Sequence, residues 1–368
     1  MPRLIDMLDR AVGRSPKMVD HAVDYLVRQP GPKRIISEDG TYNAGWFDDF
    51  TGELNFGDSS AFDMAMHRWF HVTIDAPDHF IVWNLADFSR AGNTAVLVAY
   101  KKTGRFEHAS ITKLFNLNDI SVDTPHRHFQ DPNSHSFTAV DEHEGRFRFS
   151  MHADHIHVSG VAERVLGPAM VQCTRFHRGR GSLQWYGCVR LVHGTLTVGD
   201  EVIQLAPGSF GTYDRTMGHQ RGLQGWNWIA TVGQAIGPEG QRAQMGIQVA
   251  RDIDGRAVPV VSSKKYIVWV DGEVAKVPHA EFTYDSNEAR ETGPWRIHSH
   301  EGAVPEGEDG MDLHFHPDFH RREQKAAGLM VADFNQYYGE VHGSVVINGQ
   351  RWELQPTFAV TEDSLLEL

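Results

Sequence analysis

Cysteine is nearly absent from this chain: Cys173 and Cys188 are the only two in 368 residues. Two thiols cannot build a disulfide framework, and both are expected free and buried. Long apolar runs are missing too. The opening thirty residues place acidic side chains among their apolar ones, which fits neither a signal peptide nor a membrane span, so a cytoplasmic location is expected. Positive charge is in deficit, with 35 Lys and Arg against 48 Asp and Glu and a net charge of −13. That balance argues against a nucleic-acid or anionic-membrane surface, which needs a basic footprint. Also missing are a Gly-x-Gly-x-x-Gly turn after a strand, a phosphate-cradling loop ending in Gly-Lys-Ser/Thr, and a Gly-x-Ser-x-Gly nucleophile elbow. Nucleotide cofactors and serine-hydrolase chemistry therefore have no support, and no cofactor is expected.

What is present is enough chain for two domains, with 9 Trp, 20 Phe and 22 His. A short helix is expected near the start. Ser15-Pro16 offers a cap and a first-turn proline, Met18, Ala22, Tyr25 and Leu26 recur at helical spacing, and Pro30-Gly31-Pro32 stops the run. From Asp39 onward the pattern is short strands. Arg146 to Ala153 alternates strictly, with Phe147, Phe149, Met151 and Ala153 on one face. Asp271-Gly272 and Asn348-Gly349 each sit between apolar strands as hairpin turns. Many short strands at such spacing indicate an all-β sandwich or barrel rather than a parallel α/β sheet.

One hairpin occurs twice. Val192-His193-Gly194-Thr195-Leu196-Thr197-Val198-Gly199, then Val202 to Leu205 and Pro207, matches Val341-His342-Gly343-Ser344-Val345-Val346-Ile347-Asn348-Gly349, then Trp352 to Leu354 and Pro356, at an offset of 149. Tyr186-Gly187 and Tyr338-Gly339 precede the two copies. This divides the chain into a helical extension (1–35), a first barrel (36–240) and a second barrel (241–368). Only the first copy runs on into Tyr213-Asp214-Arg215, while the second continues Phe358-Ala359-Val360-Thr361-Glu362, so chemistry is expected in the first barrel.

Three stretches resemble a known group. They are Phe80 to Phe88 leading to Lys102-Thr103-Gly104-Arg105, Gly211 to Gly218 closing in Gly225-Trp226-Asn227-Trp228, and the Tyr338-Gly339-x-Val341-His342-Gly343 hairpin. Together they resemble the tandem lipocalin-like proteins related to carotenoid 1,2-hydratase (hydroxyneurosporene synthase), over most of residues 40 to 360. Met217 stands where that group's pattern has Trp. The resemblance implies two tandem lipocalin-like, calycin-type antiparallel barrels and an apolar, isoprenoid-like substrate.

Asp214 is the leading catalytic candidate. An aspartate facing an apolar barrel interior loses hydration of its charged form, and a carboxyl kept protonated near neutral pH can protonate an alkene or a leaving hydroxyl. Tryptophan faces would steady the resulting cation. In this reading His219 positions water, Asp87 is a second acid, and Tyr213, Trp226, Trp228 and Trp83 line the substrate. The bland alternative for Asp214 is an anchoring ion pair, and for Asp87 a turn cap. The expected activity is that of a hydratase, dehydratase or isomerase, a lyase or isomerase in class, with self-association left open.

Two other readings stand beside it. One is a non-catalytic lipocalin-like carrier of a hydrophobic ligand. The other is a metal-dependent enzyme built on the His-x-His pairs His126/His128, His155/His157, His298/His300 and His314/His316, since alternate strand residues share a face. Metal is not favoured, because the carboxylate and later histidine of a cupin-like pattern are out of place. His314, His316 and His320 are the richest cluster if one binds.

Overall fold

Alternation of apolar and polar residues shapes both halves of this chain. The computed structural model describes residues 27–47, 52–56, 66–88, 91–114, 120–121, 126–131, 133, 135–175, 181–219, 223–254, 265–270, 272–284, 293–327 and 330–367. Most of the helix expected from Ser15 to the stop at Pro30 lies outside these, but its last part is not helical: Arg28–Gln29 is a short strand paired with Trp46 and Phe47. Among the described residues every regular element is a strand, and no helix is long and apolar enough to cross a membrane.

The strands form two curled antiparallel sheets, a nearly closed barrel and a half-barrel, as the paired-barrel expectation required. Across the first run Arg105–Leu114, Ala91–Tyr100, His79–Asp87, Met66–Asp75, Phe210–His219, Gly181–Val198, Ile156–Arg175, Arg146–Ala153, Ser136–His143, His126–Asp131 and Ile120–Ser121. Across the second run Glu273–Lys276, Lys265–Val270, Arg242–Asp254, Leu223–Ile236, Gln350–Glu367, Met330–Ile347, Gly310–Ala327, Trp295–His298 and Glu281–Tyr284. Leu223–Ile236 already belongs to the second sheet, so the chain changes sheet between His219 and Leu223, upstream of the boundary expected near residue 240.

The duplicated hairpin keeps one register in both halves. Gly194, Thr195 and Leu196 pair with Leu205, Gln204 and Ile203, and Gly343, Ser344 and Val345 pair with Leu354, Glu353 and Trp352. The second turn, Asn348-Gly349, has positive φ at both residues (51° and 70°), the geometry that suits the twist of a two-residue hairpin.

Each sheet wraps its own core. Phe70, Trp83, Phe147, Phe149 and Tyr213 fill the first barrel, and Trp295, Phe315, Tyr337 and Trp352 fill the second. The two sheets also bury their outer faces against each other. Phe80, Val82, Leu97 and Ala99 of the first meet Trp228, Ala230, Ala250, Tyr338 and Val360 of the second. Trp46, Tyr186 and Cys188 meet Val232, Ile267 and Trp269. Strands buried on both faces lose the simple apolar–polar alternation, which is why His79–Asp87 reads as nearly continuous hydrophobic sequence.

The sheets come close where Gly246 lies on Cys188: a Cβ at this glycine would collide with Cys188 Sγ. Both cysteines are free and buried. Gly246→Ala is expected to cost about 1–3 kcal/mol through overpacking. The same change in a Cys188→Ala background should cost clearly less, as urea denaturation of the four proteins would show.

Candidate active site between the two sheets

Met66–Asp75 and Phe210–His219 are neighbouring strands of the first sheet, with Asp214 opposite His71 and Thr216 opposite Trp69. Because Phe70, Val72 and Tyr213 point into the barrel, Trp69, His71, Asp214 and Thr216 take the outer face. Asp214 therefore does not face the barrel interior, as the sequence suggested. It faces the second sheet.

There the carboxyl still lies out of water. Asp214 as a residue is partly exposed, but packing around its carboxyl makes desolvation the largest influence on its titration. Its pKa is pushed from 3.8 up to about 7, opposed by hydrogen bonds from Thr216 and Trp69 and by the charge of Lys265, and reinforced by Glu362. The Thr216 hydroxyl donates to Asp214 Oδ1 at 3.0 Å.

Glu362 comes from the second sheet and was not singled out in the sequence. It is buried, and desolvation raises its pKa from 4.5 to about 7 despite hydrogen bonds from Trp226 and Gln336 and the charge of Arg321. Trp226 Nε1 donates to Glu362 Oε2 at 2.6 Å and Gln336 Nε2 to Oε1 at 2.7 Å. Gln336 is fixed in turn, its Oε1 accepting from Arg321 Nη1 and from the Tyr338 hydroxyl, both at 2.7 Å.

The carboxyl groups are thus held by matching devices. Trp69 donates to Asp214, Trp226 donates to Glu362, and the two indoles stack across the junction with centroids 6.5 Å apart and planes 21° apart. Trp226 also packs on Phe334 at 6.1 Å. Trp69, Trp226 and Phe334 are only partly buried, so this aromatic layer reaches the surface. Deeper lie His71 and Trp228, 7% and 5% exposed, their rings edge to face at 5.0 Å.

Of the residues expected in the site, Asp214, Trp226 and Trp228 come together here; the others do not. Tyr213 packs inside the first barrel on Phe70 and Phe147, and Trp83 on Phe70 and Phe149. Asp87, on the inward side of its strand, pairs with Arg68 at 3.0 Å, a buried ion pair that accounts for it. His219 lies an odd number of residues from Asp214 and so on the opposite face, its Nδ1 2.7 Å from the Tyr42 hydroxyl.

The histidine cluster is divided by a bulge. His314 and His316 stand on the outward face beside His342, with rings 5.8 and 5.9 Å from it. A register shift between Pro317 and Phe319 then reverses the alternation, and His320 turns inward to stack on Tyr337 at 4.5 Å. Among the described residues no group of three or more His, Cys, Asp or Glu is placed to hold a metal ion.

A family model described as "Domain of unknown function (DUF2804)" matches residues 27–366. Among solved structures, a Nitrosomonas europaea protein assigned as AttH aligns over 84% of this chain and 96% of its own, with a TM-score of 0.52 and 12% identity. That likeness establishes the fold alone. Kievitone hydratase from Nectria haematococca aligns over 84% and 92%, with 13% identity and a TM-score of 0.43, too low to carry a functional argument. No curated protein matches the chain.

Both carboxyls have folded pKa values above their unfolded ones. Their contribution to stability is therefore complete below about pH 4 and is lost as pH rises toward 7. Thermal midpoints should fall between pH 4.5 and pH 8. The slope should flatten in an Asp214→Asn/Glu362→Gln double variant, and equal slopes for the two proteins would contradict the assignment.

Proposed function

The chain belongs to the DUF2804 family, and we propose that it is an acid catalyst that hydrates, dehydrates or isomerises an apolar small molecule in the layer between its two sheets. The observation that carries this reading is the Asp214–Glu362 pair: two carboxyls from different sheets, each pushed to about 7 by burial beside aromatic rings. A carboxylic acid with a pKa near the working pH is both protonated often enough to act and acidic enough to give the proton up. Desolvated carboxyls of this kind recur at catalytic sites, although buried structural networks produce them too.

In the hydration direction, Asp214 delivers its proton to the less substituted carbon of a trisubstituted alkene. The π bond breaks, a C–H bond forms, and a tertiary cation remains on the neighbouring carbon. The faces of Trp69 and Trp226 supply negative potential to that cation. Water then adds its oxygen to the cation and returns a proton to the Asp214 carboxylate, so the net change is alkene plus water to alcohol. Dehydration is the reverse, and loss of a different proton from the cation gives an isomer. Whenever Glu362 is ionised, its charge disfavours ionisation of Asp214, so the two acids are discouraged from being charged together.

A substrate suited to this layer is neutral and largely hydrocarbon. Phe80, Val82, Leu97, Ala99 and Ala230 share one apolar cluster with Trp228, against which Trp226 packs, and an extra anion would meet two carboxyls. The barrel core behind Asp214 is filled by Phe70, Phe147 and Tyr213, which favours the junction over the lumen as the place of reaction.

The test uses 2,6-dimethyloct-2-ene in D2O near pH 6.5. The expected product is 2,6-dimethyloctan-2-ol carrying one deuterium at C3, identified by mass spectrometry. Asp214→Asn should lower its rate at least about 100-fold, the scale of a lost general acid. Turnover retained in that variant, or alcohol formed without deuterium at C3, would sink the proposal.

A further inference from the structure

Next to Asp214 the fold leaves a set of polar atoms that no described residue satisfies. His71 is its direct cross-strand neighbour on the same face. Both ring nitrogens of His71 are buried without a hydrogen-bond partner, and so is Nε1 of Trp228, whose ring meets the His71 ring edge to face at 5.0 Å. Buried polar groups are costly to leave unpaired, so three together mark a place where something else supplies the bonds.

The chemistry of these atoms narrows what that is. Burial, with Arg321 opposing a second positive charge, pushes the His71 imidazolium down to about 3, so the ring is neutral. A neutral imidazole offers one N–H donor and one lone pair, and the indole adds a second donor. The complementary group must both donate and accept. A carboxylate only accepts, and here it would lie beside Asp214 and Glu362. An ammonium only donates, and it would face the charges of Arg321 and Lys265, which reach His71 and Asp214 respectively. A neutral hydroxyl meets every requirement, and the walls around it are apolar.

We infer that His71 and Trp228 form an oxygen seat that takes the hydroxyl of an apolar alcohol, or the water that becomes that hydroxyl, within reach of Asp214. The inference rests on the proposed acid catalysis and deepens it by naming the substrate class. An isomerase acting on a hydrocarbon has no use for such a seat, whereas a hydratase or dehydratase needs one. The hydroxyl donates to the bare His71 nitrogen and accepts from Trp228 Nε1. That arrangement holds its oxygen beside the carbon skeleton while Asp214 addresses the proton.

The test compares 2,6-dimethyloctan-2-ol with its deoxygenated skeleton, 2,6-dimethyloctane, by depletion of each volatile from the headspace over the intact protein. Binding is read without turnover. The alcohol should bind at least about tenfold more tightly than the hydrocarbon, as expected where a buried donor and acceptor would otherwise stay unpaired. His71→Phe should erase that preference and leave hydrocarbon affinity within about threefold, Trp228→Phe should weaken it, and His71→Asn, which keeps a donor and an acceptor, should retain part of it. A wild-type protein that binds both probes equally or binds neither overturns the seat. So does a preference that survives both His71→Phe and Trp228→Phe. Because Asp214→Asn keeps the seat, an alcohol preference in that variant and in a wild type without turnover would defeat the catalytic proposal and leave this inference standing. Turnover without the preference would do the reverse.

Discussion

Trp69 stacks on Trp226 at the place where each half of the chain contributes a carboxyl group, and the chemistry proposed for the molecule depends on that contact. Each indole uses its face to hold the sheets together and its N–H to hold an acid, Asp214 on one side and Glu362 on the other. An aromatic pair of this kind is worth about 0.5–1.5 kcal/mol beyond the area it buries. Its larger effect is electrostatic. Closing the two outer faces removes water from both acids, and without that closure neither carboxyl has reason to titrate near neutrality.

The remaining packing serves the same junction. Phe106 stacks on Phe319 at 5.5 Å and Phe80 packs on Phe358 at 5.0 Å, extending the aromatic contact away from the acids. Trp269 donates its indole N–H to the Pro168 carbonyl at 2.9 Å, and Gln248 Nε2 reaches across to the carbonyls of Gly187 and Tyr213 at 3.0 and 3.1 Å. The last two bonds tie the second sheet to the backbone beside Asp214, so the position of the acid is set by both halves of the fold. The two barrel cores, by contrast, are ordinary packed interiors.

Much of the fold was legible from period and turn chemistry. Arg146–Ala153 is a strand with the alternating burial its sequence implied, and the repeated hairpin appears twice in one register. Asp214, Trp226 and Trp228 were legible as partners because aspartate among apolar residues and tryptophans two apart are local signals. The direction Asp214 faces was not. Strict alternation places it opposite Tyr213, but choosing which of two apolar faces is the lumen requires the tertiary structure. Glu362 was not legible as an acid of the site, although it adjoins Asp363, which the offset of 149 places in register with Asp214. The signal available was Gln184-Trp185-Tyr186-Gly187 recurring as Gln336-Tyr337-Tyr338-Gly339, with Gln336 pairing opposite Glu362. The expected asymmetry, with chemistry confined to the first barrel, differs from the proposed site, to which both halves supply an acid. His320 was grouped with His314 and His316 because a bulge at Pro317 leaves no mark in simple residue spacing.

The central claim is that closing two sheets together keeps two carboxyls protonated near neutral pH. It is tested most directly by titrating carboxyl carbon-13 resonances of labelled Asp and Glu in the intact protein, with Asp214→Asn and Glu362→Gln used to assign the two signals. Midpoints near 7 for both are expected, with each shifting when the other is replaced if the two charges sense one another. Midpoints near 4 for both, in the folded protein, would contradict it.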